Sequence, residues 1–289
     1  MQALLLWLRR HTLIVIVSVL VVLDGIFLSA LYQRTHGVLK VSFLNVGQGD
    51  AVFIEAPNGN QLLYDAGPPT GAVLRELSKE MSFWDRSIDV AMFSHPDMDH
   101  IGGLIDVFNQ YHVDLTLEPG ASSTNGVWEE AEKIITAKHI GHLIARKGMI
   151  ISLGDGVYAD ILYPDHDVTN SETNSASIVM RIRYGDTAVL VSGDLPSNLE
   201  EYEVAVYGES LHAQVLKLGH HGSRTSSSEA WLRAVAPDVA VISAGLNNRY
   251  GHPHKEVLAL LEKLHIPHLV TFKEGTINFV SDGSTIVRK

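Results

Sequence analysis

Ser94-His95-Pro96-Asp97-Met98-Asp99-His100, followed by Ile101-Gly102-Gly103, is the stretch on which the reading of this chain turns. Immediately upstream, Asp89-Val90-Ala91-Met92-Phe93 is an apolar run of the length of a buried strand. Two imidazoles and two carboxylates therefore stand in the turn where a strand ends. Imidazole nitrogen together with carboxylate oxygen suits Zn, Mn or Fe, whereas an oxygen-only set would suit Mg or Ca. His95 and Asp97 lie two apart and point the same way from an extended segment. The adjacent pair Asp99 and His100 faces a second position if the loop bends there. Gly102 and Gly103 then free the backbone to turn. A capping Asp beside an incidental His would explain one such pair, but not two pairs straight after a buried strand. The expectation is that one loop feeds two metals.

The chain has 289 residues, which suits one large domain or two small ones. With 22 basic and 33 acidic residues its formal charge is −11. An acidic surface repels nucleic-acid backbones, so non-specific binding to them is disfavoured unless a local basic patch or bound metal supplies attraction. There is no cysteine, hence no disulfide, thiolate ligand or Cys nucleophile.

Residues 1–37 differ from everything after them. Thr12 to Leu31 is nearly all Leu, Ile, Val and Phe, broken by Ser18, Asp24, Gly25 and Ser29. About 20 apolar residues span a bilayer core as a helix. Arg9 and Arg10 precede the run and Arg34 follows it, which favours a cytoplasmic N-terminus and places the rest outside. Leu28-Ser29-Ala30 makes a poor cleavage site for a signal peptide, so the expectation is an uncleaved, single-pass anchor over 1–37. Residues 38–289 then form the globular part, at the outer side of the cytoplasmic membrane.

That part alternates strand-like and helix-like segments, an α/β pattern. Strands are expected at Leu39–Val46, Ala51–Ala56, Gln61–Tyr64, Val157–Tyr163, Ile178–Tyr184, Ala188–Ser192, Ala213–Leu218, Val239–Ser243, His268–Phe272, Ile277–Val280 and Thr285–Val287, besides the one before the metal loop. Helices are expected at Val73–Met81, Leu104–Tyr111, Trp128–Lys138, Leu199–Tyr207, Ala230–Val235 and Lys255–Leu264.

Other stretches carry weaker signals. Asn45-Val46-Gly47-Gln48-Gly49-Asp50 between two strands reads on composition as a tight hairpin. Asp65-Ala66-Gly67 after the third strand reads on its residues as a strand-end turn. Gly193-Asp194 follows a buried strand. His220-His221-Gly222 follows another, and adjacent histidines there are rarely a core accident, since one would be buried without a partner. Gly251-His252-Pro253-His254 opens a helix, where Pro is ordinary capping grammar.

Together these segments resemble the metallo-β-lactamase-type domain of ComEC, the DNA-uptake channel family, and less closely teichoic-acid phosphorylcholine esterases. The metal loop resembles the superfamily's His-x-His-x-Asp-His signature, with Asp97 where the second His usually stands. Val46-Gly47-Gln48-Gly49-Asp50-Ala51 is similar to a ComEC marker at the same place. The resemblance implies an αββα sandwich with two divalent cations, Zn or Mn, at one sheet edge. It implies His95, Asp97, Asp99, His100, Asp194 and one or both of His220 and His221 as ligands, with Asp194 as the bridge. Asp65 would orient the metal loop, Asp50 would reach the site without ligating, and His252 or His254 would line the cleft. The further His of the wider fold is replaced by Asn174-Ser175-Ala176-Ser177, so Asn174 and Ser177 would border a first metal position open to water or substrate oxygen.

The activity implied is hydrolysis of a phosphodiester, with single-stranded DNA entering a channel as its specific form. Asp99 would serve the attacking water, and the spare histidine of His220 and His221 the leaving oxygen. Arg181, Arg183, Lys217 and Arg224 are the candidate cations for a DNA groove. A phosphorylcholine-type or other small ester is the alternative substrate. A non-catalytic accessory role beside a separate channel protein is the alternative of another class.

Overall fold

Between Thr187 and Val191 every side chain is buried, yet successive residues enter different cores. Val189 and Val191 pack in one, Ala188 and Leu190 in another. A strand's side chains alternate between faces, so a strand buried on both must be covered from both sides. This requirement produces a four-layered molecule.

The structure, a computed structural model, describes residues 10–35, 37–123 and 125–289, with side chains at 26–35 left aside. After an N-terminal helix, Thr12–Thr35, come strands β1 (Leu39–Phe43), β2 (Val52–Glu55), β3 (Gln61–Tyr64), β4 (Ser87–Met92), β5 (His112–Glu118) and β6 (Gly141–Ile144). Next are β7 (Ile150–Gly154), β8 (Val157–Tyr163), β9 (Val179–Tyr184), β10 (Thr187–Val191), β11 (Val215–Lys217), β12 (Val239–Ile242) and β13 (His268–Val270). The chain closes with β14 (Ile277–Ser281) and β15 (Ile286–Arg288). One sheet has the order β15-β14-β1-β2-β3-β4-β5-β6 and the other β13-β12-β11-β10-β9-β8-β7.

Val41, Phe43, Ile54, Met180, Val189 and Phe279 belong to the core between the sheets. Helices Ala72–Glu80, Leu104–Gln110 and Gly126–Lys138 cover the first sheet through Val73, Leu77, Phe108 and Trp128. Helices Ser197–Tyr207, Glu229–Val235 and Lys255–Lys263 cover the second through Trp231, Leu232 and Leu261. The expected αββα sandwich is present. Tyr64 links the sheets, its buried hydroxyl donating to the Ile178 carbonyl at 2.6 Å.

Three strands lie outside the sequence expectation: β5, β6 and β7. All four residues of β6 are exposed, so no burial period marks it, and β7 is a partly exposed edge. The expected strand His268–Phe272 stops at Val270 because Thr271–Glu274 turns helical.

The membrane anchor expected over residues 1–37 is not borne out. A helix is there, but among the described residues no helix is long and apolar enough to cross a membrane. Residues 1–9 and His36, with the side chains at 26–35, lie outside what is described.

Helix Ser197–Tyr207 buries two carboxyls, Glu200 and Glu203. Glu200 accepts from the Ser227 and Ser228 amides, both at 2.7 Å, while neither oxygen of Glu203 has a hydrogen-bond partner. Burial pushes Glu200 up to about 7 and Glu203 up to about 8. An acid whose folded-state pKa is raised keeps its proton longer in the fold, so its contribution is full below the unfolded value and is lost as pH rises through the folded one. Stability should therefore fall between about pH 5 and 8 on account of these two groups. Glu203→Gln should flatten that fall, gaining on wild type at pH 8 and not at pH 5, as read from urea midpoints. An unchanged slope would remove Glu203 as its source.

Candidate metal centre

Strand β4 delivers the metal loop to the edge of the first sheet. Asp97 is extended (φ −81°, ψ 148°) and begins the helical turn Met98–Ile101. His95 and Asp97 thus leave an extended segment, and Asp99 and His100 leave a helical one. This is the bend the sequence required for two facing positions.

Neighbouring loops fix that bend through backbone hydrogen bonds. The Ala66 amide donates to His100 O at 2.7 Å, Gly103 to Gly67 O at 2.9 Å, Gly67 to Asp50 O at 2.8 Å and Asp50 to Asp99 O at 3.1 Å. Gly49 (φ +139°) passes so close that a Cβ there would overlap the Asp99 carbonyl oxygen. The Val46–Ala51 marker is therefore a turn shaped to sit against the metal loop.

Asp194, at the end of β10, occupies the centre. Its Oδ1 lies 3.3 Å from His100 Nε2, and its Oδ2 lies 3.6 Å from His220 Nε2, 3.8 Å from His221 Nε2 and 3.9 Å from His95 Nε2. Asp97 Oδ2 is 3.6 Å from His95 Nε2, and Asp99 Oδ2 is 3.2 Å from His221 Nε2. The outer nitrogens face other partners. His100 Nδ1 is 2.8 Å from Asp65 Oδ2, His221 Nδ1 is 2.9 Å from the Ser243 carbonyl, and His95 Nδ1 is 2.9 Å from Ser94 Oγ. Asp65 also accepts from the Ser94 amide and hydroxyl, at 2.7 and 2.8 Å. An imidazole bonded at Nδ1 presents Nε2 in a fixed direction, the usual support for a metal-binding histidine. Nε2 of His95 and of His100, with Asp194 Oδ1, are buried and have no hydrogen-bond partner.

Asp50, His100, Asp194 and His221 each bring a ligand-type atom within 4.8 Å of one another. Asp50 reaches the group from behind: its oxygens lie 3.3 Å from His221 Nδ1 and 3.7 Å from His100 Nδ1, and it forms a fully buried ion pair with Lys217.

Burial by itself would raise the Asp194 carboxyl, but the imidazoles of His100 and His221 outweigh it and hold it well below the usual carboxylate range. Burial would likewise lower His221, and Asp194, Asp50 and Asp99 lift it instead to about 10. His100 is raised well above its ordinary value by Asp194 and Asp65, again against burial. His252 is pushed down to about 4 by burial and by the neighbouring histidines.

The paired histidines take different places. Both are left-handed (φ 50° and 54°), a conformation non-glycine residues adopt only where the surroundings impose it. The turn directs His221 into the buried centre, while His220 remains partly exposed with Nδ1 held by Thr225 Oγ1 at 3.0 Å. His252 packs against both, at ring separations of 5.4 and 6.1 Å. His254 instead accepts the Arg224 amide at 3.1 Å and braces the loop.

Ser177 joins the centre and Asn174 does not. Ser177 Oγ accepts from the Asp194 amide at 3.0 Å and lies 3.4 Å from His95 Nδ1. Asn174 opens a short 3-10 turn, and among the described residues no hydrogen bond joins its side chain to the cluster. Thr173 reaches Asp97 instead, a contact that no spacing in this polar loop announces.

The expected groove cations are not gathered here. Lys217 is buried against Asp50. Arg183 pairs with Asp160 at 2.7 Å, Arg181 donates to the His212 carbonyl, and Arg224 pairs with Glu256 at 3.7 Å. An adjacent β position on a strand says which face a cation shares, not which carboxylate waits beside it.

Gly47 (φ +87°) and Gly49 share a positive φ, but a Cβ at Gly47 meets nothing within 4 Å. Gly47→Ala should therefore cost only the backbone strain, about 1–2 kcal/mol. Gly49→Ala should cost more and also lower divalent-metal affinity, since it displaces Asp99. Equal losses in urea unfolding and metal titration would show that the close approach is unimportant.

Residues 44–245 match the metallo-β-lactamase superfamily. The chain is 28% identical over 274 residues to ComE operon protein 3 of Bacillus subtilis, covering 88% of this chain and 34% of that protein. It is 33% identical over 240 residues to competence protein ComA of Neisseria gonorrhoeae, covering 83% and 32%. The chain thus spans about a third of the length of these curated relatives. In fold it is similar to the metallo-β-lactamase fold protein YhfI of Bacillus subtilis, with a TM-score of 0.58 at 14% identity over 85% of this chain and 100% of that one. Sandwich and sequence match agree: the chain belongs to the metallo-β-lactamase superfamily, and it is similar to competence proteins over most of its own length.

Proposed function

We propose that this superfamily hydrolase is a dinuclear phosphodiesterase that acts on single-stranded DNA during uptake. The observation that carries the reading is the central place of the Asp194 carboxylate, whose oxygens lie 3.3 to 3.9 Å from Nε2 of His95, His100, His220 and His221. A carboxylate so placed is suited to bridge two cations. The donor set supports this fit, because buried polar atoms without partners cost about 1–3 kcal/mol each and a bound cation removes that cost. His95 and Asp97 would hold the first ion and Asp99, His100 and His221 the second, both sharing Asp194. Zn or Mn at these positions supplies a water of lowered pKa and neutralises charge on phosphate oxygens.

The chain's own residues do the rest. Asp65 and Ser243 O fix the tautomers of His100 and His221 by accepting their Nδ1 protons. Ser177 holds the Asp194 backbone. Asp50 and Lys217 balance each other behind the site, so Asp50 acts by positioning rather than ligation. Asp99, partly exposed, orients the attacking water, and His220, the exposed member of its pair, meets the leaving oxygen. Kinship with competence proteins supports a role in DNA uptake, and a place at the outer side of the cytoplasmic membrane beside a channel-forming partner goes with that reading.

Elemental analysis of the full chain saturated with Mn or Zn should find roughly two ions per molecule, and Asp194→Ala should lose most of both. Wild type should cut single-stranded DNA with Mn, while Asp99→Asn lowers turnover at every substrate concentration by 100-fold or more, on the order expected for a lost general base. Brisk hydrolysis of a choline-phosphate diester with DNA left intact at low salt would replace the nuclease with an esterase. Undiminished metal in Asp194→Ala would end the bridging assignment.

A further inference from the structure

Beside Asp99 the surface opens into a cleft of about 370 Å³, lined also by Gln48, Pro68, Met98, Asn248, Arg249 and Tyr250. Its volume falls in the range of small-ligand sites. The metal-centre assignment uses only Asp99 of these residues. The far wall is the loop between β12 and the helix Lys255–Lys263, and Asn248 ties that loop together. Asn248 Nδ2 donates to the Gly245 and His252 carbonyls at 2.9 and 2.6 Å, and its Oδ1 accepts from the Tyr250 and His252 amides at 3.2 and 3.0 Å. Gln48 Oε1 anchors the loop's start by accepting from the Gly245 amide at 3.1 Å. The Nε2 of the same Gln48 is buried without a hydrogen-bond partner.

This bracing presents an aromatic surface. Tyr250 stacks on His252 at 5.5 Å with the rings 20° apart, and 46% of its surface stays exposed. Arg249 places its guanidinium carbon 4.8 Å from the Tyr250 ring centre and donates to the Tyr250 hydroxyl at 2.5 Å. Among the described residues no carboxylate forms an ion pair with Arg249. Met98 adds an exposed apolar side chain on the opposite wall.

We infer that this cleft is a nucleotide subsite: Tyr250 stacks a base of the bound strand, and Arg249 takes the phosphate next to the one being cleaved. The inference rests on the phosphodiester reading and names its substrate class. Stacking on an aromatic side chain tolerates every base, as an enzyme of uptake requires. A guanidinium at the cleft, free of a carboxylate ion pair among the described residues, supplies local attraction for a phosphate against the chain's net negative charge. The same cation argues against a choline ester, since its charge would repel a quaternary ammonium brought to the Tyr250 ring.

The test is binding of fluorescein-labelled phosphorothioate oligomers, which resist cutting, to the Mn-saturated full chain. A thymidine oligomer and an abasic oligomer of equal length separate base from charge. Wild type should prefer the thymidine strand about 5- to 100-fold. Tyr250→Leu should erase that preference and Tyr250→Trp should keep it. Arg249→Gln should weaken both strands and reduce the slope of log affinity against log salt by about 0.7, one phosphate's worth for a single strand. Binding of both oligomers with no preference, indifferent to Tyr250 and Arg249, would overturn the subsite and leave the nuclease reading standing. Failure of wild type to bind either strand would overturn both.

Discussion

Charge balance among buried groups is the constraint on which this structure depends. Asp50, Asp65, Asp194, His95, His100, His221 and Lys217 are all buried within one contiguous cluster. Taking an isolated charge out of water costs several kcal/mol, so such a group survives only where opposite charge and hydrogen bonds meet it. Each carboxylate here has its answer: Asp50 has Lys217, Asp65 has Ser94 and His100, and Asp194 has a ring of imidazoles. Without cations the imidazoles carry the positive charge, which is why His100 and His221 hold their protons so firmly. Cations that bind at the same atoms must displace those protons, which couples metal affinity to the protonation of the cluster.

The sandwich exists to keep that cluster in place. The centre draws on the loop after β1, the loop after β3, the loop after β4, the end of β10 and the turn after β11, and these come from both sheets. Since the intervening core is packed through Val41, Ile54, Val189 and Val191, the two sets of loops cannot drift apart without opening it. The Tyr64 hydroxyl on the Ile178 carbonyl ties the sheets within a residue of Ser177, which itself holds Asp194.

Fold and metal loop were legible in the sequence because both rest on local signals. Alternation of buried segments marked the paired strands, and the spacing of His95, Asp97, Asp99 and His100 marked the loop. The exposed β6 carries no such alternation, so it stayed hidden. Cation positions were illegible for a different reason. Arg181 and Arg183 share a strand face, but Asp160, which neutralises Arg183, is separated from it by 23 positions. Lys217 looked like a groove residue because it neighbours the histidine pair, yet strand alternation turns it inward to Asp50. The separation of His220 from His221 required backbone angles that no sequence pattern encodes.

Arg249 was missed on the same grounds, since its neighbours in sequence are Asn248 and Tyr250, an ordinary loop. Only folding sets Asn248 as a clamp and brings the loop beside Asp99. An acidic chain that must engage a polyanion cannot rely on its average field, which repels. It needs charge of the right sign concentrated where the substrate reacts and neutralised everywhere else. Ion pairs engage Arg183, Arg224 and Arg233, whereas among the described residues Arg249 has no carboxylate partner. Cations at the proposed centre, together with Arg249, would form a local positive site within a negative protein.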